Sequence, residues 1–121
     1  MAGARYPIMQ VGGVPVVEAP QELDARSAEW FRKVLLQAAF AGPATVVVNL
    51  TGTHSCDLAG VHVLVSAHPR AVAKGGELLL VVPASAAVRR VFELTGTDVL
   101  IPNFADLNQA MRQAYAVLPA S

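Results

Sequence analysis

The sequence predicts an α/β fold in which a mixed, mostly parallel β-sheet carries an N-terminal β-hairpin and about four α-helices, in the order ββαβαβαβα. Short runs rich in β-branched residues alternate along the chain with segments whose apolar residues recur at helical spacing. Strands that are joined by helices favour a parallel sheet with right-handed crossovers. A glycine pair between the first two runs is typical of a tight turn, and this hairpin makes the sheet mixed.

Length and composition are those of one globular domain, which we expect to span residues 1–121. Hydrophobic residues make up 54% of the chain and charged residues 15%, which suits a buried sheet covered by helices. Nine basic residues balance nine acidic ones, so the chain has no net charge to attract nucleic acid or an anionic membrane. We therefore expect neither as a partner.

Apolar runs and cysteine content indicate in which cellular compartment the protein is expected. The longest strongly apolar run, Leu78 to Ala84, is far shorter than the roughly 18 residues that span a bilayer. The start, Met1 to Arg5, shows no apolar signal core behind its basic residue, so we expect a cytoplasmic protein. The single cysteine, Cys56, excludes an internal disulfide and an all-cysteine metal site.

The first third of the chain predicts a hairpin and a helix. Strands over Tyr6 to Val11 and Val14 to Glu18 flank the turn at Gly12-Gly13. Asp24 is placed to cap the following helix, and Gly42-Pro43 ends it. The residues expected to pack inward are Leu23, Ser27, Trp30, Phe31, Val34, Leu35 and Ala38.

The middle of the chain predicts the central strand and a second helix. Thr45 to Leu50 is almost continuously apolar and β-branched, as in a strand buried on both faces. Asp57 can cap the next helix, which stops at Lys74-Gly75-Gly76. Pro69 removes one hydrogen bond at a cost of about 3 kcal/mol, so we expect a kink or an early break near Ala67 to Arg70. The expected apolar stripe is Val61, Leu64, Val65, His68 and Val72.

The last third predicts two more strands and two more helices. Glu77 to Val82 forms a buried strand, Ser85 caps the next helix and Gly96 ends it. A short strand over Val99 to Ile101 then leads to a final helix capped by Asp106. The expected inward residues are Val88, Val91, Phe92 and Leu94 in the first of these helices, and Leu107, Ala110, Met111 and Ala114 in the second.

The most polar loop follows the central strand, at the end of the sheet where open α/β folds place their working surface. It runs from Thr51 to Leu64 and reads TGTHSCDLAGVHVL. This stretch resembles the signature of STAS domains, in which a strand ending in Asp-Leu leads to a loop and then to Asp-Ser-Ser/Ala-Gly-Leu opening a helix. Asn49-Leu50 stands at the first motif and Asp57 to Val61 at the second. Weaker similarity covers Gly13 to Val17, Glu22 to Asp24, Val88 to Gly96 and Val99 to Met111.

The resemblance implies a signalling module of the anti-sigma-factor-antagonist kind, which is not an enzyme and needs no cofactor. Its implied partner is an anti-sigma factor or a related kinase-like protein. In the family that partner phosphorylates the serine directly after the motif aspartate, but this chain has Leu58 there, so no phosphorylation is expected at that position. Ser55, Thr51 and Thr53 are possible substitutes, although their hydroxyls also suit ordinary loop polarity.

Partner binding is expected at the start of the second helix. Asp57 has two compatible interpretations, as a helix cap and as a contact residue. Leu58 is interpreted either as a core residue or as an exposed apolar contact, since helical periodicity with Val61 permits burial. The residues expected at the partner site are Asp24, His54, Ser55, Asp57, Leu58, Ala59 and Gly60.

Catalytic and metal chemistry are weaker interpretations of the same loop. His54, Cys56 and Asp57 lie within four positions, and neighbours in one loop rarely orient for proton transfer, so Cys56 is expected as a small apolar residue at the strand-to-helix junction. A metal site built from His54, Cys56, His62 and His68 would lack recognisable zinc spacing. Asp57 as a receiver-type phosphoacceptor would need an acidic pair at Val11-Gly12-Gly13, where none exists.

Two other functions remain open for this fold. One is a non-switching scaffold that assembles through apolar helix faces, which leaves monomer and homodimer both possible. The other is a small-molecule or nucleotide-binding module that uses the strand-end crevice, although the chain has no glycine-rich phosphate loop.

Overall fold

The computed structural model describes residues 7–41, 45–84 and 86–117. Its strands are β1 Ile8–Val11, β2 Val14–Glu18, β3 Glu22–Leu23, β4 Val46–Asn49, β5 Ser55–Cys56, β6 Leu78–Val81 and β7 Asn103–Phe104. Its helices are α1 Ala25–Ala41, α2 Leu58–Ala73, α3 Ala87–Thr95, α4 Thr97–Leu100 and α5 Leu107–Val117. Predictions for Met1 to Arg5, Tyr6, Gly42-Pro43 and Ser85 lie outside the described residues.

A five-stranded sheet in the order β1-β2-β4-β6-β7 forms the centre of the fold. β1 and β2 are antiparallel, and the remaining neighbours are parallel. The hairpin turn places Gly12 and Gly13 at φ values of 58° and 85°, in the left-handed region that glycine adopts without strain. The predicted fold class, the hairpin and the central position of β4 are therefore confirmed.

Helices cover both faces of the sheet. Successive side chains of a strand point to opposite faces, so a strand that is apolar throughout has apolar side chains to bury on both sides. Val46 and Val48 of β4 face one cluster, which also holds residues of α1, α2 and α3. Val47 faces a smaller cluster built with α5. The apolar run at residues 45–50 thus serves two cores at once, as its continuous hydrophobicity predicted.

The three aspartate caps that the described residues can test are confirmed. Each carboxylate accepts a hydrogen bond from a backbone N–H in the first turn of its helix. The pairs are Asp24 with Arg26 at 2.9 Å, Asp57 with Gly60 at 3.1 Å, and Asp106 with Gln109 at 2.9 Å. Gly96, at φ 77°, ends α3 as predicted.

The strand predicted at Val99 to Ile101 is wrong. Residues 97–100 instead form α4, a fifth helix, and the edge strand β7 begins only at Asn103. The carbonyl of Gly96 accepts N–H groups from Val99 and Leu100, both at 3.1 Å, and so winds the chain directly into a new turn. Val99 is 89% exposed, which shows that an apolar run at the sheet edge need not be a buried strand.

Of the kink or early break predicted near Ala67 to Arg70, the break is wrong, because α2 continues without interruption to Ala73. Pro69 is exposed and costs the helix one internal hydrogen bond. Leu64 before it and Ala71 after it are both buried. Tertiary packing on both sides of the proline therefore outweighs the local penalty.

The packing predicted for the helices is wrong at four positions. Trp30, Val72 and Leu94 are 48%, 52% and 72% exposed, whereas Val63 is buried although it was not assigned to the stripe. Trp30 and Val72 each lie one residue, about 100° around the helix axis, from the buried Phe31 and Ala71. Apart from Ser27, which is only partly buried, the other predicted inward residues of α1 and α5 are buried or packed against the core.

No helix in the described ranges is long and apolar enough to cross a membrane.

Candidate functional site

A second, two-stranded sheet holds the loop between β4 and α2. β3 pairs in parallel with β5, so Glu22 lies opposite Ser55 and Leu23 opposite Cys56. The N–H of Asp57 extends this ladder by donating to the carbonyl of Leu23 at 3.1 Å. The entry of α1 and the entry of α2 are thereby tied together. Sequence analysis missed this sheet because two-residue strands carry no periodicity.

Gly60 allows the first turn of α2 to pack directly on β3. A Cβ atom at this position would lie 2.5 Å from the carbonyl oxygen of Leu23 and 2.9 Å from the sulfur of Cys56. Such distances are far inside van der Waals contact, so only glycine fits without a shift of the backbone. Gly60 is buried, and its part in any site is to position α2 from beneath.

Leu58 is 73% exposed at the first position of α2, so the exposed interpretation of this residue is the correct one. Asp57 beside it is also exposed and caps the helix from an extended conformation. Ala59, the next residue, is half-buried and packs against the main core. The loop therefore presents one carboxylate and one large apolar side chain on a helix start whose backbone is fixed.

The three candidate hydroxyls of the loop differ in accessibility. Thr53 is buried, and its hydroxyl donates a hydrogen bond to the carbonyl of Pro20 at 2.9 Å. Thr53 is therefore not accessible as a phosphorylation site. Thr51 is exposed and donates to Oδ1 of Asn49 at 2.6 Å. Ser55 is exposed, and its hydroxyl makes no hydrogen bond within the described part of the chain.

Asn49 links the central strand to this loop. Its amide Nδ2 donates to a carboxylate oxygen of Glu18 at 3.0 Å, and its Oδ1 accepts the N–H of Thr51 at 3.1 Å. An aspartate at this position would place a second negative charge beside Glu18 and could not donate to it. The amide therefore suits its local environment.

Asp24 lies at the entry of α1, next to the small sheet. Its carboxylate contacts Arg26 at 3.3 Å, and the same guanidinium reaches Glu22 at 3.2 Å. Burial raises the pKa of the Asp24 carboxyl, but hydrogen bonds from the backbone and side chain of Arg26 and from the N–H of Ser27 bring that pKa below its ordinary value. Asp24 is therefore ionised at neutral pH.

Cys56 is only 8% exposed and belongs to the main core, which confirms its interpretation as a small apolar residue. Burial, with a smaller effect of the Asp57 charge, raises the pKa of the Cys56 thiol to about 12. The thiol is therefore protonated at neutral pH and is a poor nucleophile. His54 is exposed, and among the residues described no three His, Cys, Asp or Glu side chains group to hold a metal ion.

Comparison with known proteins covers most of the chain. Residues 6–110 match the family model of the STAS domain. A putative anti-sigma factor antagonist from Thermotoga maritima is similar in structure, with a TM-score of 0.79, 23% identity, and coverage of 90% of this chain and 93% of that one. An anti-sigma factor antagonist from Mycobacterium paratuberculosis has a TM-score of 0.79, 22% identity, and coverage of 89% and 91%.

The anti-sigma factor antagonist SpoIIAA in its unphosphorylated form is a third similar structure. Its TM-score is 0.73 at 22% identity, with coverage of 93% of this chain and 97% of SpoIIAA. At these identities the structural likeness establishes the fold alone. No curated protein was found to match the chain by sequence.

Proposed function

The chain belongs to the STAS domain family, and from this premise we propose that it is a protein-binding signalling module whose partner is an anti-sigma factor or a related kinase-like protein. The proposal treats residues 1–121 as one such domain acting in the cytoplasm without a cofactor. The observation that carries it is the exposed Leu58 beside Asp57 at the start of α2.

The geometry of this surface favours a macromolecular partner. Burying a leucine side chain contributes about 1.5–3 kcal/mol, which is available here because Leu58 is 73% exposed. The parallel pairing of β3 with β5 and the tight packing at Gly60 hold the backbone in place before binding. A pre-organised surface loses little conformational entropy on association, so more of the contact energy appears as affinity.

We further propose that partner binding is not switched by phosphorylation at position 58. Leucine has no hydroxyl to accept a phosphoryl group, so the surface stays in a state equivalent to the unphosphorylated one. Binding would then be controlled by protein abundance or by modification elsewhere in the loop. Ser55 is the best placed alternative, because its hydroxyl is exposed and makes no hydrogen bond in the described structure.

A titration against a purified anti-sigma factor of the kinase-like class tests the binding surface. We expect Leu58→Ser to weaken the complex about tenfold, as loss of one buried apolar contact would. Val72→Ser is the matched control, since Val72 is a half-exposed apolar residue about 21 Å further along the same helix. Equal affinity of wild type and Leu58→Ser would place the interface elsewhere.

Intact mass spectrometry after incubation with that kinase and ATP tests the regulation. We expect wild type to remain unmodified and Leu58→Ser to gain one phosphate. A stoichiometric phosphate on wild type that maps to Ser55 or Thr51 would show instead that the switch has moved within the loop.

A non-switching scaffold is a second candidate, supported by apolar side chains outside the loop. Leu94 and Val99 are 72% and 89% exposed on the consecutive helices α3 and α4, and α3 contacts β5. Sedimentation velocity of wild type and of Val99→Ser distinguishes this function, because assembly through these helices would make the sedimentation coefficient depend on Val99. A monomer in both samples would eliminate it.

A further inference from the structure

A cavity of about 350 Å³ lies between α1 and α2, away from the loop described above. Its floor is formed by buried side chains of the sheet and both helices, including Leu35, Val46, Val63 and Leu78. Among the residues that the structure describes, no acidic side chain lines it. A cavity of this size lies at the lower end of the range of about 300–1,000 Å³ that small-molecule sites occupy.

Small side chains create this space. Ala39 of α1 and Ala67 and Ala71 of α2 stand where larger residues would close the gap between the helices. Ala39 and Ala67 are half-buried, so the cavity opens to solvent along the helix pair. The result is an apolar slot with access from the surface.

The rim of the slot is cationic. Arg32, Arg70 and Lys74 line it. The guanidinium of Arg32 is already paired with Glu29, whereas Arg70 forms no hydrogen bond or ion pair with any residue that the structure describes. Arg70 also lies in the last turn of α2, where a cation faces the negative end of the helix dipole. The positive charge at Arg70 is thus free to attract an anion at the mouth.

We propose that this slot binds an aliphatic carboxylate of medium chain length. The hydrocarbon chain lies between α1 and α2 against the alanine and leucine side chains, and the carboxylate meets Arg70 at the rim. Ser66 is the uncharged polar residue of the lining, and the other uncharged lining residues would leave most hydroxyls of a sugar or ring nitrogens of a base without hydrogen-bond partners. A cationic amphiphile is repelled by the rim, so the charge selects the acid over the amine.

Decanoate, used below its micellar concentration, is the test ligand, and two-dimensional ¹H–¹⁵N NMR is the readout. We expect saturable shifts at the amides of Ala39, Ala67 and Ala71, with none at Asp57 and Leu58. Decanol should bind more weakly, and decyltrimethylammonium should not bind.

Variants separate the slot from adventitious binding. Ala67→Leu fills the slot and should weaken decanoate at least about tenfold, as steric exclusion of the chain would. Arg70→Gln should weaken it about threefold, as expected for an ion pair at an exposed rim. Arg112→Gln, which removes an exposed arginine from α5 on the opposite face of the sheet, should have no effect. Circular dichroism checks each fold, and Ala39→Leu replaces Ala67→Leu if the latter unfolds.

Several results would overturn the proposal. One is unchanged decanoate affinity in a folded slot-filling variant, and another is a set of shifts spread over α5. A third is self-association through the slot, in which Ala67→Leu changes the sedimentation coefficient and decanoate does not bind.

Discussion

At its first turn α2 packs so closely on β3 that no side chain fits at Gly60, whereas its last turns leave an open slot against α1. Asp57 caps the start of the helix, whereas Arg70 lies in its last turn and Lys74 is its C-cap. Both charge distributions complement the helix dipole. One helix thus presents two surfaces that differ in packing density and in charge.

The packing density and charge at each end of α2 indicate which kind of ligand that end can accept. The tight end offers little volume but a fixed backbone and one exposed apolar side chain, which suits a protein surface. The loose end offers an open apolar slot with the cationic Arg70 at its rim, which suits a small amphiphilic anion. Changes in side-chain volume should therefore have opposite consequences at the two ends.

The largest expected effect is at Gly60. Gly60→Ala should lower the free energy of unfolding by about 2 kcal/mol or more, because the added methyl group meets the carbonyl of Leu23. Alanine is intrinsically the better helix former by about 1 kcal/mol, so any loss must come from this clash. Urea denaturation measures the change, and Gly52→Ala, where a Cβ meets nothing within 4 Å, is the control. Equal stability of wild type and Gly60→Ala would contradict the close packing of the first turn of α2 on β3.

The next effect concerns the cap at the same end. Asp57→Ala should cost about 1 kcal/mol, since the N–H of Gly60 loses its side-chain acceptor. Asp57→Asn retains a side-chain oxygen and should cost a few tenths of a kcal/mol. Thermal and urea unfolding of the pair separate the cap from the charge, and similar losses in both variants would argue against the capping role.

At the loose end a larger side chain should be tolerated. Ala67→Leu is expected to stabilise the protein by about 0.5 kcal/mol, because it fills apolar space without a clash. Ala38→Leu, at a fully buried alanine of α1, should instead destabilise by about 1–3 kcal/mol. Denaturant midpoints compare the two, and a loss of stability in Ala67→Leu as large as that in Ala38→Leu would remove the distinction between the ends.

The last expected effect is a pH dependence from Cys56. Its thiol pKa is raised to about 12 in the folded state, so stability is fully present below the unfolded value near 9 and is lost as the pH rises toward 12. Between pH 8 and 10 only the beginning of this loss is visible. Subtracting the profile of Cys56→Ala removes the titration of lysines and tyrosines, and a flat difference would show that Cys56 is not held in its neutral form.

Much of the architecture was predictable from local signals. The pair Gly12-Gly13 predicts a turn with positive φ, and the run at residues 46–49 predicts a strand buried on both faces. Asp57 predicts a helix start. Each of these depends on a few consecutive residues and on physics that acts within one turn or one pleat. The partner site predicted from Asp57 to Gly60 rests on the same kind of local motif and stays a prediction.

Local sequence signals thus specified the hairpin, the central strand and the aspartate caps. Four features depend on tertiary packing and could not be predicted from local signals. β3 pairs with β5, and Leu58 is exposed. α2 continues through Pro69, and alanines leave a slot between α1 and α2. Burial, close approach and empty volume are properties of the residues that lie opposite, which are distant in the chain. Periodicity reports a helix face only within about one residue, and it carries no information on what that face meets.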